Sequence, residues 1–74
     1  MNIYIIVLEY YDESEIIGVE SMLPKAIGLA DGMVAKSEVH KLSVCAVYEW
    51  QIGERFASKL PVYQTEPKSD EMYA

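Results

Sequence analysis

Cysteine and histidine are nearly missing from this 74-residue chain: Cys45 is its single thiol and His40 its single imidazole. One thiol cannot close an internal disulfide, so the chain is not a disulfide-stapled secreted scaffold. Neither Cys-x-x-Cys nor His-x-x-x-His occurs, which removes the usual spacings of a zinc site. A Cys–His nucleophile pair needs hydrogen-bond contact and a third, orienting group. His40 stands at the start of the predicted strand that carries Cys45, roughly 16 Å from it at the strand rise, and the two cannot meet within one chain. The expectation is a non-enzyme with no catalytic residue, no metal and no cofactor.

Basic residues are also scarce. Six Lys and Arg face twelve Asp and Glu, for a net charge of -6. Phosphate backbones are bound by clustered Lys and Arg, so direct nucleic-acid binding is not expected. A basic protein partner, such as a nucleic-acid-binding enzyme, suits this charge. Long apolar runs are missing too. The opening Ile3 to Leu8 reaches Glu9 without a basic segment before it, unlike a secretory leader. Nothing approaches the roughly 20 apolar residues that span a bilayer, so no membrane contact is expected. The chain reads as a mature soluble protein of a reducing cytoplasm.

What is present fits one small globular domain. Hydrophobic residues make up 51% of the chain, too many for a disordered segment. A domain of this length buries only about 60% of its unfolded surface, so its stability margin is thin. Ile3 to Tyr10 is a β-branched and aromatic run, which predicts a strand. Tyr11-Asp12-Glu13-Ser14 reads as a turn, and Glu15 to Glu20 as the returning strand. Ser21 is the predicted N-cap of a helix with Pro24 in its first turn. Leu23, Ala26, Ile27, Ala30, Met33 and Val34 follow helical spacing on one face, and the helix is expected to end near Lys36 or Ser37. Lys41 to Trp50 alternates as a third strand. After a turn at Gln51 to Glu54, Arg55 to about Leu60 reads as a fourth, with Pro61 marking an edge. The prediction is an α+β domain over residues 1–63, ββαββ, with a four-stranded antiparallel sheet in the order 2-1-3-4 and one helix on one face. Residues 64–74 are expected to be a polar, mobile tail.

Three surfaces stand out as partner sites. Tyr10, Tyr11, Asp12, Glu13 and Glu15 form an acidic hairpin tip with two tyrosines, a residue type common at interfaces. The spacing lacks the glycine and final glutamate of a calcium loop. Gly28 and Gly32 fall on the solvent side of the helix, where two glycines weaken it by roughly 2 kcal/mol against alanine. A smooth groove for a partner's backbone would explain them. The third surface is the sheet. Tyr4, Ile6, Leu8 and Tyr10 lie on one side of the first strand, Ile3, Ile5 and Val7 on the other, and one helix covers only one side. Tyr4, Ile6, Leu8, Tyr48 and Trp50 are the candidates for the side that meets a partner or a second copy of the chain. The pattern alone leaves open which side the helix covers, and the tail with Val62, Tyr63, Met72 and Tyr73 could cover the other.

The short hairpin, the single helix Ser21-Met22-Leu23-Pro24-Lys25-Ala26-Ile27-Gly28-Leu29-Ala30 and the second hairpin resemble small phage-encoded proteins that disable host machinery. Single-helix anti-CRISPR proteins and phage inhibitors of host RNA polymerase look like this. The resemblance covers residues 3 to about 60 in architecture and size, and no motif carries a functional residue across. It implies a stoichiometric, non-catalytic inhibitor that blocks a protein surface in the host cytoplasm. The helix is also similar to the Leu-x-x-Ala-Ile pattern of antitoxins, which implies a regulatory dimerisation module. This chain has two strands before the helix where that pattern has three. A nucleic-acid mimic would need its acids in rows, and here they are spread along the chain.

Overall fold

The computed structural model describes residues 1–10, 12–36, 39 and 42–67. Strands β1 (Asn2–Tyr10) and β2 (Glu13–Glu20) form a hairpin, helix α1 (Leu23–Val34) follows, and β3 (Val44–Gln51) and β4 (Tyr63–Gln64) complete the sheet. All pairings are antiparallel and the order is β2-β1-β3-β4, as the sequence pattern predicts. The two most apolar strands, β1 and β3, are central, where both edges of a strand are paired.

The register fixes which residues share a face. Tyr4 lies opposite Glu49, Ile6 opposite Val47 and Leu8 opposite Cys45. These side chains point towards α1. The fully buried Ile6, Cys45 and Val47 pack there against Ala26, Ala30 and Val34 of the helix. Alanines at successive turns let the helix come close to the sheet, and Leu23, Leu29 and Met33 fill its flanks. Gly18 of β2, opposite Ile6, belongs to the same contact: a Cβ there would lie 3.2 Å from a Leu29 methyl. β2 carries a bulge between the partners of Ile6 and Val7, which inserts Ile17 and directs it to the core.

Several details of the sequence reading change: β2 starts earlier, at Glu13, β3 later, at Val44, and the helix ends at Val34 with Ala35 as its C-cap, short of Lys36 and Ser37. The helix begins at Leu23 with Met22, not Ser21, at the N-cap, and the Met22 side chain makes no capping bond. β2 stays paired through Glu20, so Ser21 and Met22 are both used to turn the chain off the sheet. The fourth strand is not Arg55 to Leu60. That stretch follows the positive-φ turn at Gly53 and is irregular. The Ser58 N–H donates to the Glu49 carbonyl and the Val62 N–H to the Val47 carbonyl, so four residues advance where β3 advances by two. The excess around Lys59, Leu60 and Pro61 loops out, and Pro61 has no donor to offer a ladder. Pairing resumes at Tyr63 and continues past the expected boundary at residue 63. The Thr65 N–H donates to the Cys45 carbonyl, and the Thr65 hydroxyl accepts from the Cys45 N–H. The Tyr63 hydroxyl donates to Asp31 at 2.6 Å, which ties β4 to the helix. His40, Lys41 and residues 68–74, and with them most of the expected tail, lie outside the described residues.

Candidate functional site

The sheet candidates divide between two faces. Tyr4, Ile6 and Leu8 are under the helix, and Ile6 has no exposure at all. Ile6 cannot meet a partner while α1 is in place; Tyr4 and Leu8 are half-buried beside it and do not share a face with Tyr48 and Trp50, so the five do not form one sheet interface. Tyr48 and Trp50 lie on the opposite, helix-free face. There the register sets Ile5 against Tyr48 and Val19, Ile3 against Trp50, and Val7 against Ala46 and Ile16. Strand alternation puts Ile3, Ile5, Val7, Ile16, Val19, Tyr48 and Trp50 on one apolar face, in which Ile3, Ile5, Val7, Tyr48 and Trp50 are half-buried and Ala46 between them is fully buried. Ile16 is 66% exposed and Val19 54%. The only carboxylate of that face on the two central strands is Glu9, which accepts a hydrogen bond from the Tyr48 hydroxyl at 3.3 Å. Burial and this carboxylate raise the Tyr48 hydroxyl above its ordinary 10.0. The Trp50 indole N–H donates to the Glu54 carbonyl at 2.8 Å, which fixes the ring beside the loop that follows β3. That loop exposes Phe56 and Leu60 at 77% and 78%.

Ile3, Ile5, Val7, Ile16 and Val19 were not among the sequence candidates. Alternation separates two sets of residues on each strand but does not say which set the helix takes. The signal lay in size. Helix positions Ala26 and Ala30 are small and accept the compact Cys45–Val47 row.

The acidic tip is narrower than expected. β2 begins at Glu13, so Glu13 and Glu15 belong to a paired strand opposite Tyr10 and Leu8, and Asp12 remains in the turn. Tyr11 lies outside the described residues. The Tyr10 hydroxyl bonds Glu13, and that bond, the charge of Glu13 and the nearby Glu15 raise it above 10.0. Tyr10, Glu13, Ser14 and Glu15 line an open depression of about 380 Å³. Gly28 and Gly32 are exposed on the outer side of α1, and a Cβ at either would meet nothing within 4 Å. The helix outer face and the helix-free sheet face are therefore on opposite sides of the molecule, and the tip projects from one end.

Chemistry is sparse at all three. Cys45 is fully buried, and burial followed by the charges of Asp31 and Glu9 pushes its thiol above 9.0, away from the reactive thiolate. Among the described residues no cluster of His, Cys, Asp or Glu could hold a metal ion, and no helix is long and apolar enough to cross a membrane. On the core side, the Glu49 carboxylate accepts from Asn2 at 3.0 Å and Tyr4 at 3.3 Å, a structural bond across β1 and β3. Comparison with protein families, characterised proteins and solved structures finds no match to this chain.

Proposed function

We infer that this chain is a small non-catalytic protein-binding protein, an inhibitor or accessory factor that works by occluding a surface of its partner. The helix-free sheet face carries the reading. Seven large apolar side chains form one surface there, and the central part bears no unpaired carboxylate. Contiguous apolar surface of this kind marks interaction sites. Burying Ile16 and Val19, each more than half exposed, would contribute about 1 kcal/mol apiece. Tyr48 and Trp50 add the aromatic type that dominates binding energy at interfaces. In the setting implied by the phage-type resemblance, the partner is a host protein of the cytoplasm, and the net charge of -6 favours a basic one.

A second reading uses the same face for a homodimer. Its support is the low charge of the patch, since two copies at -6 each repel one another overall. Sedimentation over a micromolar range separates the two: a monomer leaves only the heterologous partner.

The test compares two charge-matched variants in the source cells. Ile16→Lys with Val19→Lys places two cations on the helix-free face, and Gly28→Lys with Gly32→Lys places two on the outer helix face. The first is expected to lose both the co-purified partner and the chain's biological effect while its thermal transition is kept. The second is expected to retain both. The opposite pattern moves the working surface to the helix and overturns the reading.

A further inference from the structure

The two edges of the sheet differ. β4 is two residues long, and the chain before it loops away from β3. β2 is eight residues long and, among the described residues, pairs only with β1 and ends the sheet on the other side. An edge strand keeps a row of backbone N–H and C=O groups directed outward, a template for another strand. The side chains of β2 are sorted by face. Glu13, Glu15 and Glu20 share the face of their partners Tyr10, Leu8 and Tyr4, while Ser14, Ile16 and Val19 share the open face of Glu9, Val7 and Ile5. No Lys or Arg occurs in β2. The edge is therefore acidic on one side and largely apolar on the other.

We propose that β2 accepts an extended segment of a basic partner by strand addition, with Lys or Arg of that segment facing Glu13, Glu15 and Glu20 and its apolar residues extending the open face beside Ile16 and Val19. This rests on the reading of the chain as a protein-binding protein and specifies the chemistry of the partner. Backbone pairing supplies affinity and the alternate side chains supply selectivity. A second copy is the wrong occupant. Two β2 strands overlapped in full antiparallel register place Glu13 opposite Glu20 twice, and like charges directly opposite are destabilising. The same acids thus oppose self-pairing and favour a cationic strand.

The probe is a synthetic peptide alternating lysine and valine and matched in length to β2, with a glutamate–valine peptide as its counterpart. Fluorescence anisotropy measures affinity and amide hydrogen exchange locates the contact. The lysine peptide is expected to bind and to slow exchange in Glu13–Glu20 but not at Tyr63 or Gln64; the glutamate peptide is expected not to bind. Glu13→Lys with Glu15→Lys should weaken binding about tenfold. Glu54→Lys with Glu66→Lys, which changes net charge equally, should have a much smaller effect. Two further peptides carry N-methyl groups on alternate residues, one set in each phase. Only the set that removes the N–H groups facing β2 should abolish binding. Equal binding by both methylated forms, or no protection in β2, means a diffuse ionic contact and overturns the proposal. Self-association through β2 in the absence of peptide overturns it as well. Failure of the unmodified protein to bind the lysine peptide, while Ile16→Lys with Val19→Lys still abolishes capture of the partner in cells, overturns the edge alone and leaves the open-face reading standing. Failure of the edge is thereby distinguished from failure of the open-face reading.

Discussion

Replacing Gly28 and Gly32 together by alanine should stabilise the protein, and the structure sets the size of the gain. Both residues are inside α1, both are exposed, and neither has a positive φ. A Cβ at either position meets nothing within 4 Å, so alanine adds no clash and no new contact. What remains is backbone entropy and helix propensity, about 0.5–1 kcal/mol at each site. The two sites are one turn apart and share no partner, so the effects should add to about 1–2 kcal/mol. For a domain of this size that raises the melting temperature by roughly 5–15 °C. Urea denaturation, followed by circular dichroism and by Trp50 fluorescence, should show a higher midpoint at an unchanged slope. A neutral or destabilised double variant would refute the reasoning, because it would mean that the glycines meet a requirement of the fold. A stabilised variant that loses biological effect would place the partner on the outer helix face.

Three other perturbations follow from the same contacts. Met22 occupies the N-cap with extended φ and ψ but offers no side-chain acceptor, so Met22→Ser should stabilise by about 1 kcal/mol, read as a shift in urea midpoint. Ile6 is fully buried between sheet and helix, so Ile6→Val should destabilise by about 1 kcal/mol, and Ile6→Ala by about 2–5 kcal/mol, enough to threaten folding of so small a domain. Cys45, Tyr10, Tyr48 and Tyr63 all have raised values in the folded chain, so the unfolded chain loses their protons first as pH rises. Their contribution is complete below pH 9.0, the ordinary thiol value, and falls through the alkaline range, first from Cys45 and then, above 10.0, from the tyrosines. Denaturation midpoints measured from pH 7 upward should drop beyond pH 9, and Cys45→Ala should remove the earliest part of that drop.

The architecture was legible because its signals are long. β1 and β3 are continuous apolar runs, and the Ala26–Ala30–Val34 spacing admits only a helix packed on one side. Those features give the strand order and the single covering helix. The covered face was not legible, because β1 is apolar on both sides and alternation carries no sign. Settling it requires the match between small helix residues and the compact Cys45–Val47 row. β4 escaped for another reason. Arg55 to Leu60 holds one strong β-former, Phe56, and its assignment rested on the turn before it; the chain is instead held to β3 by the Ser58 and Thr65 hydroxyls and to the helix by Tyr63 reaching Asp31. Single polar side chains set that register, and no hydrophobic period announces them. The candidate site inherits both gaps. Tyr48 and Trp50 were found, but Ile16 and Val19 depend on the bulge at Ile17, which shifts the face of every residue before it in β2.

Position-resolved photo-crosslinking tests the central claim most directly. A photoreactive phenylalanine analogue is placed at Val19 on the helix-free sheet face and, in a parallel chain, at Gly28 on the outer helix face. Both chains are irradiated in the source cells while the biological effect is monitored. A covalent adduct to one partner protein is expected from Val19, with its loss when Ile16→Lys is added, and no adduct is expected from Gly28. An adduct from Gly28 with none from Val19, in chains that remain active, would contradict the claim.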